Sequence, residues 1–287
     1  MFMGFWIWKR ENIMKLSCLP VSFFKEIIEG SMSVHQWALL GRELGLDGID
    51  LSVLFLKSLD QEYLESMRGE MESAGIGAAV VNTYPDLTHP EYAERRRERV
   101  QLKGYIRAAG VLGALMVRVT AGQGHPETDR RNGVQWAVEG LAEALETADP
   151  MGMTLVYENH SKPGVWQHPD FSYPSEIFLE IAGRLEGTSL RILFDTANPV
   201  SRGEDPIPIL ERVMSRVACV HAADTSSAKG LRPALLGTGI VPFDDIFSLL
   251  KKAGYDGWIS IEEASGLGRR GVEKAVAFVR SKWKETE

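Results

Sequence analysis

Four short apolar stretches of this chain close on side chains of the kind that bind divalent cations. TLVYENH ends in Glu158, Asn159 and His160, and RILFDTANP reaches Asp195 and Asn198. VACVHAAD reaches His221 and Asp224, and WISIEEAS reaches Glu262 and Glu263. One such ending is unremarkable. Four in succession place several charges where burial is costly unless something compensates them. Three carboxylates repel one another at close range, and a divalent cation neutralises them directly. Three oxygen donors and one imidazole suit Mn²⁺ or Mg²⁺ first, then Co²⁺, Fe²⁺ or Zn²⁺, without any thiolate. The plainer reading is four unrelated strand ends that cap helices or pair with arginines.

Strand parity selects among the candidates, because side chains alternate faces with period two. If Ile259 and Ile261 pack outward, Ser260 and Glu262 point inward and Glu263 does not. If Leu155 and Tyr157 pack outward, Thr154, Val156 and Glu158 point inward. Leu193 and Asp195 share the inner face of their strand, as do Cys219 and His221. The same parity therefore sets Glu158, Asp195, His221 and Glu262 around one axis at one depth.

The elements that must carry them alternate along the chain. Strands are expected at Lys15–Val21, Gly48–Val53, Gly77–Asn82, Leu115–Thr120, Thr154–Glu158, Arg191–Asp195, Ala218–His221 and Trp258–Glu262. Helical stripes fill the gaps. Val34, Trp37 and Ala38 follow the N-cap candidate Ser33, and Leu64, Met67, Met71 and Ala74 run up to Gly75. Val134, Ala137, Val138, Leu141, Leu145 and Ala148 form the clearest stripe. Eight strand–helix units predict an α/β fold, a single (β/α)₈ TIM barrel over residues 14–287, with its site at the C-terminal strand ends. The alternative, a doubly wound open sheet, would usually show a Gly-rich phosphate loop after the first strand. Pro20, Phe23 and Phe24 stand there instead. Residues 1–13 (MFMGFWIWKRENI) read as an upstream extension without function: too short for a membrane span and unlike a signal peptide.

The formal charge of −7 disfavours polyanionic partners, so neither nucleic acid nor a membrane is expected. The charged run Glu91–Arg99 reads as a solvated helix face. Two cysteines, Cys18 and Cys219, are too few for a disulfide framework, and a cytoplasmic setting is expected. Further candidates surround the four ligands. His160, Asn198, Arg232, Arg118 and Asn82 are substrate-binding candidates, Arg118 with pairing to Glu158 as its other role. Lys229 shares the loop of Arg232. Asp224 is a candidate to accept from His221 or to hold the loop that follows. Trp166 either covers a substrate or packs its loop. His89 reads as a loop histidine. His35, His125 and His168 read as surface or helix residues with no partner visible.

The segments YENH (157–160), FDTANP (194–199), VHAAD (220–224), LLGTGIVPF (235–243) and GYDGWISIEE (254–263) resemble the xylose isomerase-like barrels of the sugar phosphate isomerase/epimerase superfamily. The resemblance implies one divalent metal ion held by Glu158, Asp195, His221 and Glu262. It implies a small sugar, sugar phosphate or polyol substrate, and a chain that often forms homo-oligomers. It also implies that Glu158 and Glu262 form an acid/base pair, abstracting a proton next to a carbonyl through a metal-stabilised enediolate. Two positions depart from the ketose epimerase pattern: Asn198 stands where many have His, and L-G-E-G reads Leu236-Gly237-Thr238-Gly239. Asp-x-x-Asn is instead similar to the inosose dehydratase-like branch. Dehydration of an inosose or 3-keto acid begins with the same proton removal, so the site serves either reaction. A non-catalytic sugar-binding protein would be expected to have lost one proton-transfer Glu, and both are present. The DNA-repair endonuclease branch of the barrel needs a histidine-rich trinuclear zinc site. Asp50, Asn82 and Asn198 stand where its histidines would.

Overall fold

The computed structural model describes residues 14–162 and 164–286, so the expected extension 1–13 lies outside the described residues. Eight parallel strands form the barrel: β1 (Lys15–Leu19), β2 (Ile49–Ser52), β3 (Ala78–Asn82), β4 (Met116–Val119), β5 (Thr154–Glu158), β6 (Arg191–Asp195), β7 (Val217–Ala222) and β8 (Trp258–Glu262). From β2 to β8 each strand is hydrogen-bonded to the next in sequence, and β8 returns to pair with β1. The seam between β1 and β2 has no ladder. It is drawn together by Asp47 and Gly48, whose backbone N–H groups donate to the Leu16 carbonyl at 2.8 and 3.3 Å. The β5, β6 and β8 bounds are those expected from sequence. The others differ by one or two residues at their ends, where backbone pairing rather than composition decides.

Eight long helices cover the outside: α1 (Val34–Glu43), α2 (Gln61–Ser73), α3 (Tyr92–Val111), α4 (Arg130–Ala148), α5 (Ser175–Arg184), α6 (Pro206–Val213), α7 (Phe243–Lys252) and α8 (Arg269–Glu285). Ser33 caps α1 reciprocally with Gln36, satisfying two N–H groups that the first turn would otherwise leave unpaired. Gly75 ends the α2 segment at φ 76°, a conformation that side chains with a Cβ rarely adopt.

The core has two parts, as strand parity requires. Outward residues such as Leu155, Tyr157, Phe194, Ile259 and Ile261 pack against the helices. Ala79, Val80, Met116, Val156, Leu193 and Cys219 fill the lumen. A polar layer sits near the apolar plug: Ser260 donates a short hydrogen bond to buried Asp50. The charged run on α3 is not uniformly solvated. Arg95 is buried, its guanidinium 3.7 Å from the centroid of the Trp136 ring and its Nη1 donating to the His89 and Pro90 carbonyls. A long aliphatic stem and a planar cation allow that burial where a carboxylate would not tolerate it. Among the described residues, no helix is long and apolar enough to cross a membrane.

Candidate active site

Glu158, Asp195, His221 and Glu262 converge at the C-terminal mouth of the barrel. One ligand atom from each lies within 4.8 Å of the other three. Register explains the convergence: Asp195 pairs with His221 across β6 and β7, and Ser260 pairs with His221 across β7 and β8. His221 Nδ1 lies 2.9 Å from Glu158 Oε1 and 3.3 Å from Glu262 Oε2. Three members are buried, while the Glu262 side chain keeps 28 % exposure.

Asp195 and Glu158 are backed by neighbours outside the cluster. Asn159 clamps Asp195, accepting from its N–H at 2.7 Å and donating to its carbonyl at 2.9 Å. The Ala197 and Asn198 amides donate to Asp195 Oδ1 at 2.9 and 2.6 Å, at the start of the short helix Ala197–Ser201. Arg118 Nε donates to Asn82 Oδ1 at 3.0 Å, and its Nη1 donates to the Thr83 carbonyl at 2.6 Å. The single Nε–H is thus spent on Asn82. The 3.0 Å approach of that nitrogen to Glu158 Oε2 is a Coulombic contact that leaves the oxygen without a hydrogen-bond partner.

The electrostatics describe a site built for net positive charge. Burial penalises the Glu158 anion, but Arg118, His221 and His160 outweigh it and hold its carboxyl at about 2. Burial likewise disfavours the imidazolium of His221, yet the Glu158 and Glu262 carboxylates push it up to about 10. Burial, then the like charges of Glu262 and Glu158, hold Asp195 well above the ordinary carboxylate range. The proton that His221 holds is one that a cation would displace. The donor set fits a divalent ion: oxygen-rich, with one imidazole, and with a buried Glu158 oxygen that carries no hydrogen bond. In the metal-free protein, Arg118→Met should cost about 3–5 kcal/mol, because it leaves a buried charge with less compensation. Urea unfolding of the two proteins in chelator measures that difference, and equal midpoints would refute the role.

The other candidates divide. His160 and Asn198 line a cavity of about 410 Å³ above the cluster, together with Arg118 and Glu262. His160 lies 3.6 Å from Asp170 and edge-on to buried Trp166, with ring centroids 6.0 Å apart. The Asn198 amide donates to the Asn159 carbonyl at 3.1 Å, so part of its hydrogen-bonding capacity is already used. Asn82 lies beneath Arg118 and orients it. Arg232 and Lys229 do not join the group. Both are exposed, and the Arg232 carbonyl, not its guanidinium, holds the loop together by accepting from Ser226 N.

Asp224 is not a partner of His221; it is the clamp of the Leu236-Gly237-Thr238-Gly239 loop. Its carboxylate accepts from Gly237 N at 2.9 Å, Gly239 N at 2.8 Å, Val241 N at 3.2 Å and Thr225 N at 2.9 Å. A Cβ at Gly239 would overlap Asp224 Oδ1 and the Thr225 carbonyl. Gly239→Ala should therefore destabilise by about 1–3 kcal/mol through overpacking. Thermal unfolding tests this, and an unchanged midpoint would mean that the loop relaxes freely. His125 has the partner that its sequence context does not reveal: Asp86 Oδ2 at 2.7 Å, with His89 and His168 stacked edge-on against it at 4.7 and 5.3 Å. These residues come from three different loops.

With this geometry in view, relatives identify the lineage. The family model described as "Xylose isomerase-like TIM barrel" matches residues 39–282. The chain belongs to the xylose isomerase-like TIM barrel family. Within curated proteins, it is 30% identical over 224 residues to a Streptomyces coelicolor protein named "Putative hydroxypyruvate isomerase", covering 72% of this chain and 76% of that one. It is 27% identical to an inosose dehydratase of Clostridium botulinum, covering 67% and 70%. A solved structure titled as the IOLI protein with a binding zinc atom superposes with a TM-score of 0.77 at 17% identity, covering 96% of this chain and 99% of that one. That likeness establishes the shared fold. The xylose isomerase-like superfamily is enzymatic, and its named relatives here include both an isomerase and a dehydratase.

Proposed function

We propose that this xylose isomerase-like barrel is a divalent-metal-dependent isomerase or epimerase of a keto sugar, sugar phosphate or polyol. Glu158, Asp195, His221 and Glu262 hold the cation, and Glu158 and Glu262 move the proton. The observation that carries this reading is the convergence of three carboxylates and one imidazole within 4.8 Å beneath an open cavity. When bound, a divalent cation supplies polarisation of the substrate carbonyl and offsets the negative charge that proton loss creates.

The chain's own residues do the rest, and they are not equivalent. Glu262 reaches the cavity and is free to accept the proton from the carbon beside the carbonyl. Glu158 is fully buried beside Arg118, whose charge favours its ionised form, so it would exchange the proton on the opposite face. His160, on the cavity wall, is placed to donate to or accept from substrate hydroxyls. Asn198 and Arg118 fix the substrate's polar end.

A dehydratase reading rests on the inosose dehydratase relatives and on Asp195-x-x-Asn198, and uses the same first step. His160 would then protonate the departing hydroxyl. The test is substrate-dependent wash-in of solvent deuterium across ketoses, inososes and 3-keto acids, with Mn²⁺, Mg²⁺, Co²⁺, Fe²⁺ and Zn²⁺ supplied in turn. Metal-dependent exchange without loss of water supports the isomerase or epimerase, and exchange with loss of one water supports the dehydratase. Exchange unaffected by chelator, or none with any substrate, would overturn both.

A further inference from the structure

The cavity above the cluster has a polar floor and an apolar rim. Arg118, His160, Asn198 and Glu262 make the floor, whereas Val21, Phe24, Ile28, Leu54, Val165 and Leu231 make much of the rim. The rim is assembled from the loops after β1, β2, β5 and β7, so it is a product of the barrel rather than of one segment. Ile28, Val165 and Leu231 are 46 %, 57 % and 38 % exposed, large aliphatic side chains held in water around a single mouth. Such clustering marks a surface that is covered in use. A bare polyol would bury hydroxyls against this rim with few groups to receive them, which is unfavourable. Among the described residues, Lys162 is the one lysine or arginine on the cavity wall besides Arg118, and it is exposed.

We infer that the substrate is a keto-polyol carrying an apolar substituent, an aromatic ring or short alkyl chain, at the end remote from the reacting carbonyl. The inference rests on the proposed function for the placement of the carbonyl over the cluster. The substituent lies against Phe24, Ile28, Val165 and Leu231 while the polyol hydroxyls meet His160 and Asn198. The continuity of rim and floor within one cavity is what assigns the rim to the substrate itself.

The test measures binding separately from turnover. Calorimetry on the Mn²⁺-loaded protein compares phenyl β-D-glucoside with methyl β-D-glucoside, and deuterium exchange compares their 3-keto forms. The phenyl compound should bind at least tenfold more tightly, as expected for burial of one aromatic ring. Leu231→Ser combined with Ile28→Ser, at exposed positions, should bring that ratio toward one. Equal affinities would overturn the inference, as would tighter binding of glucose 6-phosphate than of phenyl glucoside. A ratio unchanged in the double variant, together with loss of a dimer by sedimentation, would assign the rim to a second copy of the chain. Tenfold preference without any exchange of either keto form would uphold the subsite and refute the proposed chemistry instead.

Discussion

Glu262→Gln is expected to lower deuterium exchange into the keto substrate by about 10²–10⁴-fold, the usual range for loss of a positioned general base. The amide keeps the shape and one oxygen donor but cannot accept the proton at any accessible pH. Glu262 is the member of the cluster that reaches the cavity, so the effect should fall on kcat more than on KM. Glu158→Gln should show a loss of similar size for a different reason. It removes the charge that Arg118 faces at 3.0 Å and that keeps His221 protonated in the metal-free protein. The two variants therefore separate in stability: Glu158→Gln perturbs a fully buried network, and Glu262→Gln a partly exposed end of it. Steady-state exchange and urea unfolding of both variants make the comparison. Retention of full exchange by either would remove that residue from proton transfer.

Loading and stripping the cation should perturb stability strongly. A ligand present at a thousandfold above its Kd stabilises by about 4 kcal/mol, or roughly 10 °C in Tm for a chain of this size. Chelator should reverse the shift. The effect must depend on pH, with a sign that follows from His221. Its folded value of about 10 lies above its ordinary 6.5, so in metal-free protein its contribution is complete below 6.5 and is lost as pH rises through 10. Glu158 acts at the other end. Its folded value of about 2 lies below its ordinary 4.5, so its contribution is present above 4.5 and is lost as pH falls through 2. A cation must displace the imidazolium proton, so its apparent affinity should rise with pH up to about 10, on the order of tenfold per unit. Differential scanning calorimetry with and without each metal from pH 6 to 9 reads the His221 trend and the rise in metal affinity, and a metal-free series from pH 5 to 2 reads the Glu158 trend. A Tm indifferent to Mn²⁺, Mg²⁺, Co²⁺, Fe²⁺ and Zn²⁺ at every pH would mean that the four groups bind none of them.

What could be read from the residues alone was whatever repeats with a period. Alternation along WISIE and TLVYE separates the lumen face from the helix face, and it selects Glu262 over Glu263 without coordinates. Glu263 is indeed turned out of the lumen, where its carboxylate accepts from Ser265 N at 3.0 Å and packs beneath Gly271. The eight-fold succession of strands and helices and the placement of four ligand-type side chains at consecutive strand ends were legible for the same reason: they are local properties of the chain. The loops carry no period, and the structure alone decided what they do. Asp224 lies three residues past His221 yet serves a glycine loop up to 17 residues on, because its carboxylate meets amides that only the folded turn aligns. His125 finds Asp86, and Arg95 finds Trp136, across about 40 residues of intervening chain. Val21, Phe24, Ile28, Leu54 and Leu231 look like ordinary core material in sequence. Closure of the barrel, which brings distant loop ends to one rim, is what sets them around the mouth of a polar site.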